Sequence, residues 1–319
     1  GDRLLLPIMS GRVNPRSRGG DALWWAAQRV EGVGAATMLR LARAFGSPRA
    51  VLEASRRELI AQGGLSTRQA DQVTCLHESV AILRHEITAW QAQGLALLSL
   101  EHAGYPSALR DLRSPPPLLY LRGELREADA HAVAVVGTRE PDPQGARLAR
   151  TLARRLALRG FTIVSGLARG IDTAAHRGAL AAQDGRTIAV LGSGLLRIYP
   201  PENTLLAAKI AKRGCLLAEV PPETEVERGL LLARDRIQAG LSRAVIVVQA
   251  HPECGSVAAA RHAVRCRRLL FAIPWPQGAF AEGWKRLHKM GARALEEAPD
   301  TDALAAEIEA GAASLPQRP

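Results

Sequence analysis

Six short, unbroken apolar runs dominate the second part of the chain: Ala132–Val136, Phe161–Val164, Thr187–Leu191, Cys215–Ala218, Ala244–Val248 and Leu269–Ile273. Stretches with helical periodicity separate them. A strand exposed on one face alternates apolar and polar residues, whereas a strand covered on both faces does not. The pattern therefore predicts an α/β domain with a doubly wound, mostly parallel sheet. The stretch after the first run shows how the cover is built. Leu148, Leu152 and Leu156 recur at i, i+4 and i+8, while Arg147, Arg150 and Arg154 share the opposite face.

In an open parallel sheet, ligands bind beyond the carboxyl ends of the strands, so the strand-to-helix loops carry the chemistry. Here they read Gly137-Thr138-Arg139, Ser165-Gly166-Leu167-Ala168-Arg169-Gly170, Gly192-Ser193-Gly194, and Gln249 through Gly255-Ser256. Small residues let backbone N–H groups approach an anion, hydroxyls add donors, and an arginine supplies a charged fork. A phosphate-reading rim is the expectation, although glycines also punctuate any doubly wound fold. The segment Gly192 to Arg197 lacks the third glycine of G-x-G-x-x-G, and no P-loop string occurs, so neither NAD nor a P-loop nucleotide is expected and no cofactor is assigned. Asp172 and His176 are four apart with no nucleophile in a recognised elbow beside them. They read as structural, Asp172 as a helix N-cap and His176 as a polar anchor of the rim. His251, Cys254, His262 and Cys266 match no common zinc spacing, and no metal is expected.

The first part of the chain differs. Residues 1–20 carry Pro7, Pro15 and no sustained period, and read as a flexible basic lead-in. Residues 21–100 show helical periodicity with glycine-rich breaks and predict a small all-helical domain. Its break Val30-Glu31-Gly32-Val33-Gly34 has the layout of a helix-hairpin-helix, which makes Gly32 and Gly34 a possible second phosphate contact; a tight turn is the plainer alternative. Residues 101–126, with Tyr105-Pro106 and Pro115-Pro116-Pro117, read as a stiff connection at the domain junction. Residues 127–297 form the sheet domain, and 298–319 a short helix and tail.

Lysine and arginine total 42 against 31 acids, a net charge of +11 in 319 residues. That excess points to a polyanionic partner, or to a basic surface without a specific one. Four cysteines are too few and too scattered for a disulfide framework. No apolar run reaches the roughly 18 residues of a membrane span, and no signal-peptide pattern opens the chain, so a cytoplasmic protein without membrane partners is expected.

The segment from Val135 to about Ala292 resembles the DNA-processing protein A (DprA, or Smf) family. The matching strings are Val136-Gly137-Thr138-Arg139, SGLARGIDTAAHRGAL at 165–180, GRTIAVLGSGLLRIYPPEN at 185–203, Glu219-Val220-Pro221, RDRIQAGLS at 234–242, VIVVQA at 245–250, Gly255-Ser256, FAIP at 271–274 and Gly291-Ala292. The helical N-terminal region is similar to that family's sterile-alpha-motif-like module. The resemblance implies an extended Rossmann-like domain that binds single-stranded DNA, loads the recombinase RecA during natural transformation and DNA recombination, forms homodimers and is not an enzyme. It implies that Arg139 and Arg169 contact backbone phosphates, with Gly137, Thr138, Ser165 and Gly166 shaping the pocket. Gly192, Gly194, Asn203, Arg234, Arg236, Gly255 and Ser256 fall on the same matching strings.

The chain also departs from that pattern. Asp235 stands where an asparagine is expected, Leu196 where an aspartate is expected, and Ala259 replaces a threonine. Asp235 is expected to pair with a neighbouring arginine and to weaken anion binding. A C-terminal winged-helix module is not expected after Ala292. Two alternatives stay open: a nucleotide-processing hydrolase related to the phosphoribohydrolases, whose Pro-Gly-Gly-x-Gly-Thr string is absent, and a degenerate paralogue acting through protein contacts only.

Overall fold

The computed structural model describes residues 24–25, 30, 32–297 and 299–313. The expectations for 1–20 and for the tail at 314–319 lie outside the described residues. The chain divides into two compact units, one of Gly1–Ala89 with Leu98–Ala103 and the other of Trp90–Leu97 with Gly104–Pro319.

In the first unit, α1 (Ala35–Phe45), α2 (Pro48–Glu53), α3 (Arg56–Ala61) and α4 (Thr67–Ala92) follow one another closely, α4 running on past Ala89. Local chemistry sets their starts. Ser47 caps α2 by accepting from the Ala50 N–H, and Ser55 and Glu58 form a reciprocal capping box on α3. Met38, Leu41, Val51 and Leu59 are buried beneath them. Of the stretch at 21–31, Trp24 and Trp25 are helical and buried. Gly32 has φ +75°, and its carbonyl accepts from Gln69 Nε2 at 2.9 Å. Gly34 immediately precedes α1, with open space around it.

The other elements are β1 (Leu95–Ser99), α5 (Ser107–Arg110), β2 (Leu118–Gly123), β3 (Ala132–Val136), α6 (Pro143–Leu158), β4 (Thr162–Ser165), α7 (Ile171–Leu180), β5 (Thr187–Leu191), α8 (Thr204–Arg213), β6 (Cys215–Ala218), α9 (Arg228–Ala233), α10 (Asp235–Leu241), β7 (Ala244–Val247), α11 (Gly255–Arg265), β8 (Leu269–Ala272), α12 (Gly278–Lys289), β9 (Arg293–Ala294) and α13 (Thr301–Ala313). All six apolar runs became strands, β3 to β8. Every residue of β3, β4, β5, β6 and β7 is buried, as cover on both faces requires.

The strands form one nine-stranded sheet in the order β1-β2-β6-β5-β4-β3-β7-β8-β9. Strands β3 to β9 pair in parallel, with Val133 opposite Ala244 and Ala134 opposite Val164, and β2 runs antiparallel to β6. Two corrections to the sequence reading follow. The proline-containing connection contains β2, fully inside the sheet, and the end of the helical region contains β1. Three prolines precede β2 rather than interrupt it, which leaves its hydrogen-bonding groups intact.

Helices α6 and α7 cover one face, where Leu152, Leu156, Ile171 and Ala175 pack on Val133, Val135 and Ile163. The expected stripe on α6 is present, with Leu152 and Leu156 buried, Leu148 packed at its edge, and Arg147, Arg150 and Arg154 exposed. Leu152 is 1% exposed, so Leu152→Ala should lower stability by about 2–5 kcal/mol, read as a shifted urea midpoint at unchanged slope.

Candidate functional site

Strand order reverses between β3 and β7: the chain runs outward from β3 through β4, β5 and β6, then returns to β7 on the other side. A cleft of about 870 Å³ opens there. Its walls are the loops after β3, β4 and β7, the start of α11, and the segment spanning α9 and α10. Main-chain bonds hold the three loops edge to edge. The Thr138 N–H donates to the Gln249 carbonyl at 2.7 Å, and the Ile171 N–H donates to the Thr138 carbonyl at 3.1 Å. A Cβ on Gly137 would stand 2.5 Å from Ile171 Cγ1, and one on Gly170, at φ +73°, would stand 2.5 Å from the Thr138 oxygen. The Gln249 side chain bonds both the N–H and the carboxylate of Asp142, which in turn caps α6 through the Gly145 N–H.

Arg139, Arg228 and Arg261 line the cleft, are exposed, and make no hydrogen bond or ion pair among the described residues. Arg286 donates to the Pro252 carbonyl at 2.7 Å and lies 3.5 Å from Glu253. Arg234 is buried, 3.7 Å from Asp172 and 3.6 Å from Asp235. Its guanidinium lies against Gly166, where a Cβ would be 1.6 Å from Nη1. Burial pushes the Asp235 carboxyl up to about 6; Arg234 pulls it down, and the charge of Asp172 adds to the rise. Burial likewise raises Asp172, against the pull of Arg234 and its hydrogen-bond donors.

The structure separates the expected site residues into three groups. Arg139, Gly137, Thr138, Arg234, Gly255 and Ser256 line the cleft, and Arg139, Arg169, Gly166 and Arg234 line a smaller adjoining hollow with Tyr199. Gly255 has open space where its side chain would be, at the first turn of α11. A second group is spent on protein partners. Arg169 is ion-paired with Glu202 and Arg236 with Glu219. The buried Asn203 amide donates to the Leu167 carbonyl and to Thr173 Oγ1, both at 2.8 Å, holding Leu167 at φ +63°. Ser165 donates to the Val135 carbonyl. The third group is packed away. Gly192 lies under Leu231 and Gly194 under the Pro221 and Pro222 carbonyls, and both glycines are buried. Gly32 and Gly34 belong to the first unit. Arg228, Arg261 and Arg286 were missed by the sequence reading, which weighed His251 only as a metal ligand; Arg261 was signalled only by its place within the first two turns of α11.

Two roles are corrected. Asp172 is not an N-cap: Gly170 precedes the helix, and the Asp172 carboxylate reaches back to accept from the Gly166 and Ala168 N–H groups at 3.1 and 3.3 Å. His176 does not anchor the rim. It is fully buried and bonds Thr187 Oγ1 at 2.7 Å, at the opposite end of β5. Because the Thr187 hydroxyl donates to the Ile163 carbonyl, His176 Nδ1 must carry the proton, and Nε2 is a buried acceptor without a partner among the described residues. His251, Cys254, His262 and Cys266 form no metal-type cluster among the described residues, and Cys254 instead contacts the Ser256 hydroxyl at 2.7 Å. No helix among them is long and apolar enough to cross a membrane.

Fold and site together define a doubly wound α/β protein with an arginine-bearing cleft at its switch point. Residues 96–305 match the family described as DNA recombination-mediator protein A, and the chain belongs to that family. It is 38% identical over 258 residues to protein Smf of Synechocystis, covering 80% of this chain and 64% of that protein. It thus spans less than two thirds of that relative. The crystal structure of DNA processing protein A from Streptococcus pneumoniae superposes with TM-score 0.69 and 30% identity, over 89% of this chain and 97% of that one. A structure of DNA processing protein A from Helicobacter pylori, described for its single-stranded DNA binding mode, superposes with TM-score 0.60 and 31% identity over 68% and 96%.

Burial, and secondarily the charge of Arg234, hold His176 down to about 3. The unfolded chain takes up this proton below the ordinary histidine value and the folded chain does not, so stability falls with falling pH over that window. The expected contribution is about 1.4 kcal/mol per pH unit, and urea unfolding of wild type against His176→Asn should show a slope steeper by that amount in wild type.

Proposed function

We propose that this protein binds single-stranded DNA through the cleft at the carboxyl ends of β3 and β7, acting in DNA processing rather than as an enzyme. The observation that carries the reading is Arg139: an exposed guanidinium that makes no ion pair among the described residues, lining both the cleft and the smaller hollow. It has near it the first turn of an eleven-residue helix whose Gly255 leaves room for a close approach. A flexible single strand can bend to bring successive phosphates onto Arg139, Arg261 and Arg228, which a stiff duplex does less readily. Arg169 joins them where a phosphate displaces Glu202, an exchange made easy by the exposure of that pair. The single-stranded DNA binding of the Helicobacter pylori relative supports the reading.

The family membership extends the proposal to recombination: loading of RecA on the bound strand, by a homodimer, in natural transformation. The sheet unit carries the DNA site, and Gly32 and Gly34 at the start of α1 offer a second contact. A hydrolase has less support, since Asp172 and Asp235 both face Arg234 and Asp172 is further committed to the Gly166 and Ala168 N–H groups.

Binding should be electrostatic. With about four phosphates neutralised, log affinity for a labelled oligothymidine should fall with log salt at a slope near −3. Arg139→Ala should weaken binding to all sequences alike and flatten that slope by about 0.7. Unchanged affinity and slope in the variant would remove the cleft from consideration.

A further inference from the structure

Arg234 sits at the junction of the two hollows and lines both. It faces Asp172, from α7, and Asp235, the first residue of α10, at 3.7 and 3.6 Å. Both separations exceed a hydrogen bond, and Nε has no partner among the described residues, so field and packing hold this guanidinium rather than a closed fork. One positive charge between two negative ones leaves a wall of the cleft with net negative charge.

The two carboxylates are not equivalent. Asp172 is committed to the backbone, accepting from the Gly166 and Ala168 N–H groups. Asp235 accepts from Gln238 Nε2 at 3.1 Å. An asparagine at position 235 could keep that acceptor and the same shape while shedding the charge.

We propose that Asp235 sets the affinity of this cleft: with Asp172 it silences Arg234, and removing the Asp235 charge alone turns Arg234 into a further phosphate-binding cation. This inference rests on the reading of the cleft as a site for a nucleic-acid strand. Protonation has the same effect as the substitution. Because burial pushes Asp235 up to about 6, the change falls within an accessible pH range. Below that value Asp235 is neutral and Arg234 is balanced by Asp172 only; above it the second negative charge returns and repels the strand.

The groups facing Asp235 are Arg234 beside it, Gln238 on its own helix, Asp172 from α7 and Arg139 from the β3 loop. His262 of α11 and His251 of the β7 loop line the same cleft. Burial, with Arg265 and Arg236 adding to it, keeps His262 below the ordinary histidine value. The variant described next separates any contribution of His251.

The test is titration of labelled oligothymidine at constant low salt, at about pH 5.5 and about pH 7.5, with wild type, Asp235→Asn and the double variant Asp235→Asn/Arg234→Gln. Wild type should bind on the order of tenfold more tightly at the lower pH, one charge-assisted hydrogen bond's worth. Asp235→Asn should bind at the higher pH as tightly as wild type does at the lower, with little pH dependence left, and the double variant should lose that gain. The wild-type profile needs no substitution, so a folding defect in a variant does not remove the test. If wild type binds but Asp235→Asn keeps both its affinity and its pH dependence, the role of Asp235 is overturned and the cleft reading stands. If none of the proteins binds at either pH, the cleft reading fails and takes this inference with it.

Discussion

Thr138 ties the site together through its main chain. Its N–H bonds the loop after β7 and its carbonyl bonds the start of α7, so three loops from neighbouring strands share one short ladder beyond the sheet. Arg139 inherits its position as the next residue, and Gln249, reached by the same ladder, fixes the start of α6 through Asp142. Such closeness is possible only where no side chain intervenes. Gly137 lies against Ile171 and Gly170 against the Thr138 carbonyl at distances no Cβ could occupy, and Gly170 also takes a positive φ. The glycines of these loops are therefore in part conditions for assembling the cleft, quite apart from any ligand.

That distinction explains what could be read from the residues in order. Strands β3 to β8 were legible because burial on both faces leaves an unmistakable local mark, a run of apolar residues with no alternation. Strand β2 was not, because Pro115, Pro116 and Pro117 stand beside it and suggest a linker, although they end where the ladder begins. The cleft itself was legible as a rim of small residues, but the fate of each member was not. Gly192 and Gly194 have the same local signature as Gly255, yet one pair is roofed over by residues 221–231 while Gly255 faces open space. Only the chain's later return over that edge decides between them. Asp172 and His176 show the same limit: their spacing on α7 was plain, but one turns back to the loop behind it and the other toward Thr187 at the far end of β5.

Pairing of charges across the fold is the least local property of all, and it reorders the arginines. Arg169 meets Glu202, 33 residues away, and Arg236 meets Glu219, 17 residues away. The first pair is about half exposed on both sides and contributes little, so a phosphate can take the place of Glu202 at small cost. The second is about four-fifths buried, and opening it would leave Glu219 charged in a poorly solvated position. Arg139 makes no ion pair among the described residues, although it faces Asp235. Equal in the sequence, these three arginines are respectively conditional, structural and free.

The cleft lining carries Arg139, Arg228, Arg234, Arg261 and Arg286, and against them Glu140, Asp172, Glu227, Asp235 and Glu253. Its formal charge is balanced, although the whole chain carries +11. Attraction of a polyanion over a distance must then come from the surface at large, and it fades beyond a Debye length of about 8 Å at physiological salt. At contact the geometry of individual side chains takes over. The carboxylates Asp172 and Asp235 are turned inward on Arg234, whereas Arg139, Arg228 and Arg261 are exposed. A cleft of this kind gathers a charged strand through the protein's overall field and holds it through a few uncommitted cations, so its strength depends less on how many arginines line it than on which of them have already found a carboxylate.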